Sequence, residues 1–130
     1  MIIAVDFDGT LCEHKFPEIG EIKEVNKRVI DYIRYRKETH NDTIILWTCR
    51  CNTPKRKYLD EAVEWCKQQN IPIDYINENA KTTVDEFEVE SRKIFAHKYI
   101  DDRAINIDDS TMLEFVLNHL DDLDNLKEEK

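Results

Sequence analysis

Two carboxylates one residue apart, Asp6 and Asp8, close the apolar run Ile2, Ile3, Ala4, Val5 and lead directly into Gly9 and Thr10. In an extended strand, residues i and i+2 point the same way, so both acids face one side. Like charges a few ångströms apart repel unless a proton or a cation lies between them. A hard divalent cation with oxygen ligands, most simply Mg²⁺, relieves that repulsion. Gly9 allows a sharp turn and a close approach of backbone to a ligand. Asp-Gly-Thr also suits an ordinary turn. Against a mere turn stand the polar groups that follow later apolar runs: Thr48, Cys49 and Arg50 after Trp47, and Asp101 with Asp102 after Ile100.

These residues need strands to carry them. Ile2–Val5 reads as a strand buried on both faces, as in a parallel sheet. Cys12 to Gly20 is a loop, with His14 and Lys15 placed to face a ligand or solvent. Glu21 to Lys37 is expected to be helical, with Ile22, Val25, Val29, Tyr32 and Ile33 on its apolar face. Thr43 to Trp47 is a second buried strand. Asn52 or Thr53 can cap the next helix, with Pro54 in its first turn and Leu59, Ala62, Val63 and Cys66 as its buried stripe. Ile73 to Ile76 is a third strand, Lys98 to Ile100 a fourth, and Ala104 to Ile107 a short fifth. A helical turn is expected near Val84 to Val89. Ser110 caps a last helix carrying Leu113, Val116, Leu117 and Leu120. Strands alternating with amphipathic helices imply an α/β, Rossmann-like three-layer sandwich with a mainly parallel sheet. In such sheets ligands bind at the carboxyl ends of strands, where the acids fall.

With 130 residues, one domain over 1–120 and a charged tail over 121–130 are expected. The net charge of −9 disfavours broad nucleic-acid binding and anionic membranes, yet leaves room for a local basic patch at Arg50, Lys55, Arg56 and Lys57. No signal peptide or membrane span is visible, so the expected setting is cytoplasmic. Cys12, Cys49, Cys51 and Cys66 lack zinc-site spacing and read as reduced thiols, Cys66 in the core and the others near the site.

From about Ile2 to Ile107 the chain resembles the haloacid dehalogenase superfamily, in its phosphatase branch. The resemblance rests on Asp6 to Thr10 after the first strand, Thr48 ending the second, Lys93 upstream of the fourth and Asp101-Asp102 ending it. It implies a phosphomonoester hydrolase in which Asp6 attacks phosphorus and Asp8 serves as acid and then base. Such an acid requires a shifted carboxyl in the site. Mg²⁺ would be held by Asp6, the Asp8 carbonyl, and Asp102 or Asp101. Gly9, Thr10, Thr48, Cys49, Arg50 and Lys93 would surround the phosphoryl group, with Lys98 as the rival of Lys93. In some polynucleotide-end phosphatases of the superfamily an Arg near the Arg50 position contacts phosphate; a solvent-facing loop arginine is the alternative.

Larger relatives insert a cap domain after the first motif or the third strand. Here Cys12 to Gly20 and Asn77 to Arg92 are too short for one. The resemblance implies that capless members act on large substrates or cover the open site with a second subunit; for this chain a small phosphorylated substrate is expected, with nucleic acid only as a phosphorylated 3′ end. From other classes, a receiver-like module places its phosphoacceptor Asp after the third strand, where this chain has Ile76-Asn77-Glu78. A catalytically degenerate phosphate-binding protein would lack one of the motif residues, and all are filled.

Overall fold

Four short strands, β1 (Ile2–Val5), β2 (Thr43–Leu46), β3 (Tyr75–Ile76) and β4 (Lys98–Ile100), form one parallel sheet in the computed structural model, in the order β3-β2-β1-β4. The structure describes residues 1–106, so the expected last helix and charged tail lie outside it. Three helices intervene: α1 (Glu24–His40), α2 (Tyr58–Gln68) and α3 (Lys81–Phe87).

Strand alternation makes the layers. Ile3 and Val5 of β1, with Ile44 and Leu46 of β2, join Ile30 and Ile33 of α1 and Ala62 and Cys66 of α2 in the larger core. Ala4 and Ile45 point the other way, onto Ile94 and Ala96. Both faces of β1 and β2 are therefore covered, which is why these strands are continuously apolar. The fold is the expected Rossmann-like three-layer sandwich without a cap. Among the described residues no helix is long and apolar enough to cross a membrane.

Within the described residues the expected elements other than the fifth strand are present, some with shifted edges. The chain fills β1–β2–β3 to one side of β1 and then returns to place β4 on the other side. That reversal opens a crevice at the carboxyl ends of β1 and β4. Residues 104–106 form no strand, and Ile107 lies outside the described residues. α1 starts at Glu24, because the Asn26 side chain accepts the Lys23 N–H at 2.9 Å and fixes the helix start there. Its buried face is Asn26, Ile30 and Ile33, whereas Val25 and Tyr32 are 65% and 41% exposed. The helix closes on Asn41 in the left-handed region. α2 begins at Tyr58, since Thr53 ties off a turn through its backbone and hydroxyl to Arg56. Lys55 and Arg56 thus precede the helix and do not sit in its first turn.

Candidate functional site

A cavity of about 280 Å³ opens at the crevice, lined by Asp6, Asp8, His14, Phe16, Thr48, Cys49, Arg50, Asp101 and Arg103. β1 delivers Asp6, whose N–H continues the ladder onto the Ile100 carbonyl at 2.9 Å. Past Phe7 the chain folds into a tight turn, with Thr10 and Leu11 both donating to the Phe7 carbonyl. Gly9 makes the turn possible in two ways. Its φ of +89° is strained for other residues, and a Cβ there would meet the Asp102 carboxyl carbon at 2.7 Å. Thr10 then locks β1 to β4: its hydroxyl donates to Asp102 Oδ1 at 3.3 Å and accepts the Asp102 N–H at 3.1 Å. Asn26 steadies this from below, its amide donating to the Thr10 carbonyl at 3.0 Å.

Asp6, Asp101 and Asp102 can each bring a carboxylate oxygen within 4.8 Å of the other two. Burial first, and then the charges of Asp101 and Asp102, push the Asp6 carboxyl up to about 7, against the Phe7 N–H, which lowers it. The shifted carboxyl is that of Asp6, the residue expected to be the nucleophile. Three carboxylates brought this close could hold a hard cation through their oxygens. Asp101 and Asp102 both fall in this cluster with Asp6. The Asp8 carboxylate does not join it.

Arg50 holds that carboxylate. Its guanidinium reaches Asp8 Oδ2 and Oδ1, both at 2.8 Å, and also donates to the carbonyls of Tyr58 and Glu18. It lies 5.1 Å from the ring centroids of Phe7 and of Phe16 and is only 3% exposed. The solvent-facing reading of Arg50 is thereby overturned: the side chain is a buried fork whose donors are committed. Thr48 lines the cavity with its hydroxyl accepting the Arg50 N–H at 3.1 Å, while its own N–H donates to Asn77 at 2.8 Å.

Lys93 is not brought to the cavity. It is exposed, with Nζ 5.3 Å from the centroid of the Tyr99 ring. Lys98 is exposed on β4, opposite Ile3. Of the basic patch, Arg56 is spent on Glu18 and Glu61. Among the thiols, Cys49 lines the cavity and Cys51 is exposed, while burial raises the pKa of Cys12 and pushes Cys66 up to about 12. Sequence reasoning missed Phe16 and Arg103. For Arg103 a signal existed, since it directly follows the Asp101-Asp102 pair at a strand end.

A parallel α/β sandwich with a carboxylate cluster at its topological switch point is the class that fold and site define together. No family model matches the chain, and no curated protein matches it. The chain is similar to the solved structure of a conserved protein from Bacteroides thetaiotaomicron, at 32% identity and a TM-score of 0.66, over 92% of this chain and 90% of that one. It belongs to the same family as that protein.

Proposed function

We propose that the protein is a Mg²⁺-dependent phosphomonoester hydrolase of the haloacid dehalogenase type, working through an aspartyl-phosphate on Asp6 in a cytoplasmic setting. The observation that carries this reading is the meeting of Asp6, Asp101 and Asp102 within 4.8 Å, with Asp6 and Asp101 lining a cavity beside Thr48. Asp6, Asp101, Asp102 and the Asp8 carbonyl would hold the cation, which when bound offsets the charge of phosphate and carboxylates.

An Asp6 oxygen attacks phosphorus, and the bond to the ester oxygen breaks. That oxygen leaves with a proton from the Asp8 carboxyl. Asp8 then takes a proton from water, whose oxygen attacks the phosphorus of the aspartyl-phosphate. Inorganic phosphate departs and both acids are restored. Thr48 donates to a phosphoryl oxygen by turning its hydroxyl into the cavity. Lys93, without an ion-pair partner among the described residues, swings from the Tyr99 ring to the phosphate.

The Arg50 fork sets a condition on this cycle. A guanidinium has donors only, so an Asp8 carboxyl accepting on both oxygens has no proton to give in that pose. Asp8 must leave at least one arm of the fork to act as the acid. The polynucleotide-end reading is not favoured, because Arg50 and Arg56 are already paired.

Hydrolysis of p-nitrophenyl phosphate with Mg²⁺ tests the proposal. Turnover is expected, and both Asp6→Asn and excess chelator should abolish it. Turnover near wild type under either condition would overturn the mechanism.

A further inference from the structure

The cavity holds more than phosphoryl chemistry needs. Beside the acids and Thr48 it is lined by His14, Phe16 and Arg103. His14 stands in the loop after β1 and Arg103 in the segment after β4, and β1 and β4 are neighbours in the sheet. The two side chains therefore come from adjacent strand ends. The Arg103 N–H is used, donating to Asp101 Oδ1 at 2.8 Å. The guanidinium of Arg103 and the imidazole of His14 have no hydrogen-bond or ion-pair partner among the described residues. Both residues are exposed at the mouth of the cavity, whereas the guanidinium groups of Arg50 and Arg56 are paired with acids. In a chain of net charge −9, unpaired donors lining an acidic cavity are available to an anion. A transferring phosphoryl group is drawn to the carboxylate cluster with its cation and to Thr48, so it does not account for them.

Phe16 defines what lies between. Its ring is 48% exposed, yet packing against Tyr58 at 5.3 Å and Arg50 at 5.1 Å holds it in place. It offers a fixed apolar surface for a planar leaving group. The volume of about 280 Å³ stands at the small end of ligand sites, which run from roughly 300 Å³ upward. One ring with two small polar ends fills it.

Resting on the phosphatase reading, we infer that the substrate is a small phosphomonoester whose leaving group bears a second anionic group, a carboxylate or another phosphate. Arg103, helped by His14, recognises that group, and the ring of Phe16 supports the atoms between. Arg103 and His14 set specificity and take no part in the chemistry.

The test compares KM for 4-carboxyphenyl phosphate, 4-phosphonophenyl phosphate and the neutral isostere 4-carbamoylphenyl phosphate, with Mg²⁺ present. The anionic esters are expected to show KM lower by about tenfold or more, as for a charge-assisted hydrogen bond. Whichever anion gains more identifies the natural group. Arg103→Gln should erase the advantage, bringing KM for the anionic esters level with that for the carbamoyl ester in the same variant, and His14→Gln should reduce it in part. Equal KM for charged and neutral esters in the wild type, or an advantage that survives Arg103→Gln, overturns the inference. Calorimetry with uncleavable 4-carboxybenzylphosphonate and its carbamoyl analogue reads the same preference without turnover. If no ester is cleaved but the carboxylate preference appears and depends on Arg103, the phosphatase reading fails and the anion site stands. If esters are cleaved without preference, the reverse holds.

Discussion

Replacing Asp6 by Asn should stabilise the metal-free protein at pH 8 and do much less at pH 5. In the folded protein Asp6 ionises at about 7, against 3.8 for the free side chain. Between those values the unfolded chain has released its proton while the folded protein still holds it. The unfolded state then binds fewer protons, so this group's contribution to stability falls as pH rises through the window. At 1.36 kcal/mol per pH unit, the gap from 3.8 to about 7 sets a ceiling of ~4 kcal/mol. Between pH 5 and 8, with water at the open mouth of the cavity screening the charges, ~1.5 kcal/mol of that is expected to remain. Asn keeps the shape and never ionises, so it removes this pH dependence. Thermal unfolding in chelator should therefore give a Tm advantage of Asp6→Asn over wild type that grows by roughly 6 °C from pH 5 to pH 8. Titrations of groups that do not interact with Asp6 cancel in the difference. Adding Mg²⁺ at pH 8 should raise the wild-type Tm and leave the variant nearly still, since a ligand stabilises only the state that binds it. A Tm difference independent of pH, or equal stabilisation of both proteins by Mg²⁺, would refute the account of Asp6 as a carboxyl strained by its neighbours.

Other perturbations follow from the same geometry. Arg50→Ala leaves the Asp8 carboxylate without its fork and should cost ~3 kcal/mol in urea unfolding, with part of the loss restored in the Arg50→Met/Asp8→Asn double variant. Thr10→Val frees Asp102 from its hydroxyl partner and should weaken Mg²⁺ affinity by about tenfold or more, measured by calorimetry. Asp8→Asn should slow single-turnover phosphorylation less for aryl phosphates, whose leaving groups need little protonation, than for alkyl phosphates; equal losses would argue against Asp8 as the acid. Lys93→Ala should lower kcat/KM by about a hundredfold, whereas Lys98→Ala, on the outer strand, should leave it unchanged.

What could be read from the sequence was whatever depends on near neighbours. Ile2–Val5 and Lys98–Ile100 were placed to the residue, because a strand covered on both faces, or one ended by two acids, shows in a short window. Of the expected α1 face, Val29 and Ile33 pack on the core, but Ile22, Val25 and Tyr32 are exposed, because Asn26 points inward. A polar residue on a buried face is invisible to hydrophobic spacing, and its partner, the Thr10 carbonyl, lies 16 residues away. The start of α2 moved because Thr53 satisfied its hydroxyl in a turn to Arg56, an alternative that capping residues always offer. Arg50 was undecidable between solvent and phosphate, since its true partner, Asp8, is 42 residues upstream. Asp6, Thr48 and Asp101 could be assigned to one rim by the rule that strand ends carry ligands, and they line one cavity.

The crossover that sets β4 beside β1 also orders the events of folding. Thr10 and Asp102, which grip each other across the crevice, are 92 residues apart in the chain. A ribosome emitting this chain releases Asp6 well before the other two carboxylates, which follow only after β3 and α3 have emerged. Until then the acidic pocket has a single wall and cannot hold a divalent ion. Any cation that later bridges Asp6 and Asp102 closes a loop spanning nearly the whole described domain, so its binding free energy is folding free energy. The ion would act as a clasp that can be fastened only after β4 has emerged, and its uptake would report that β4 has docked beside β1.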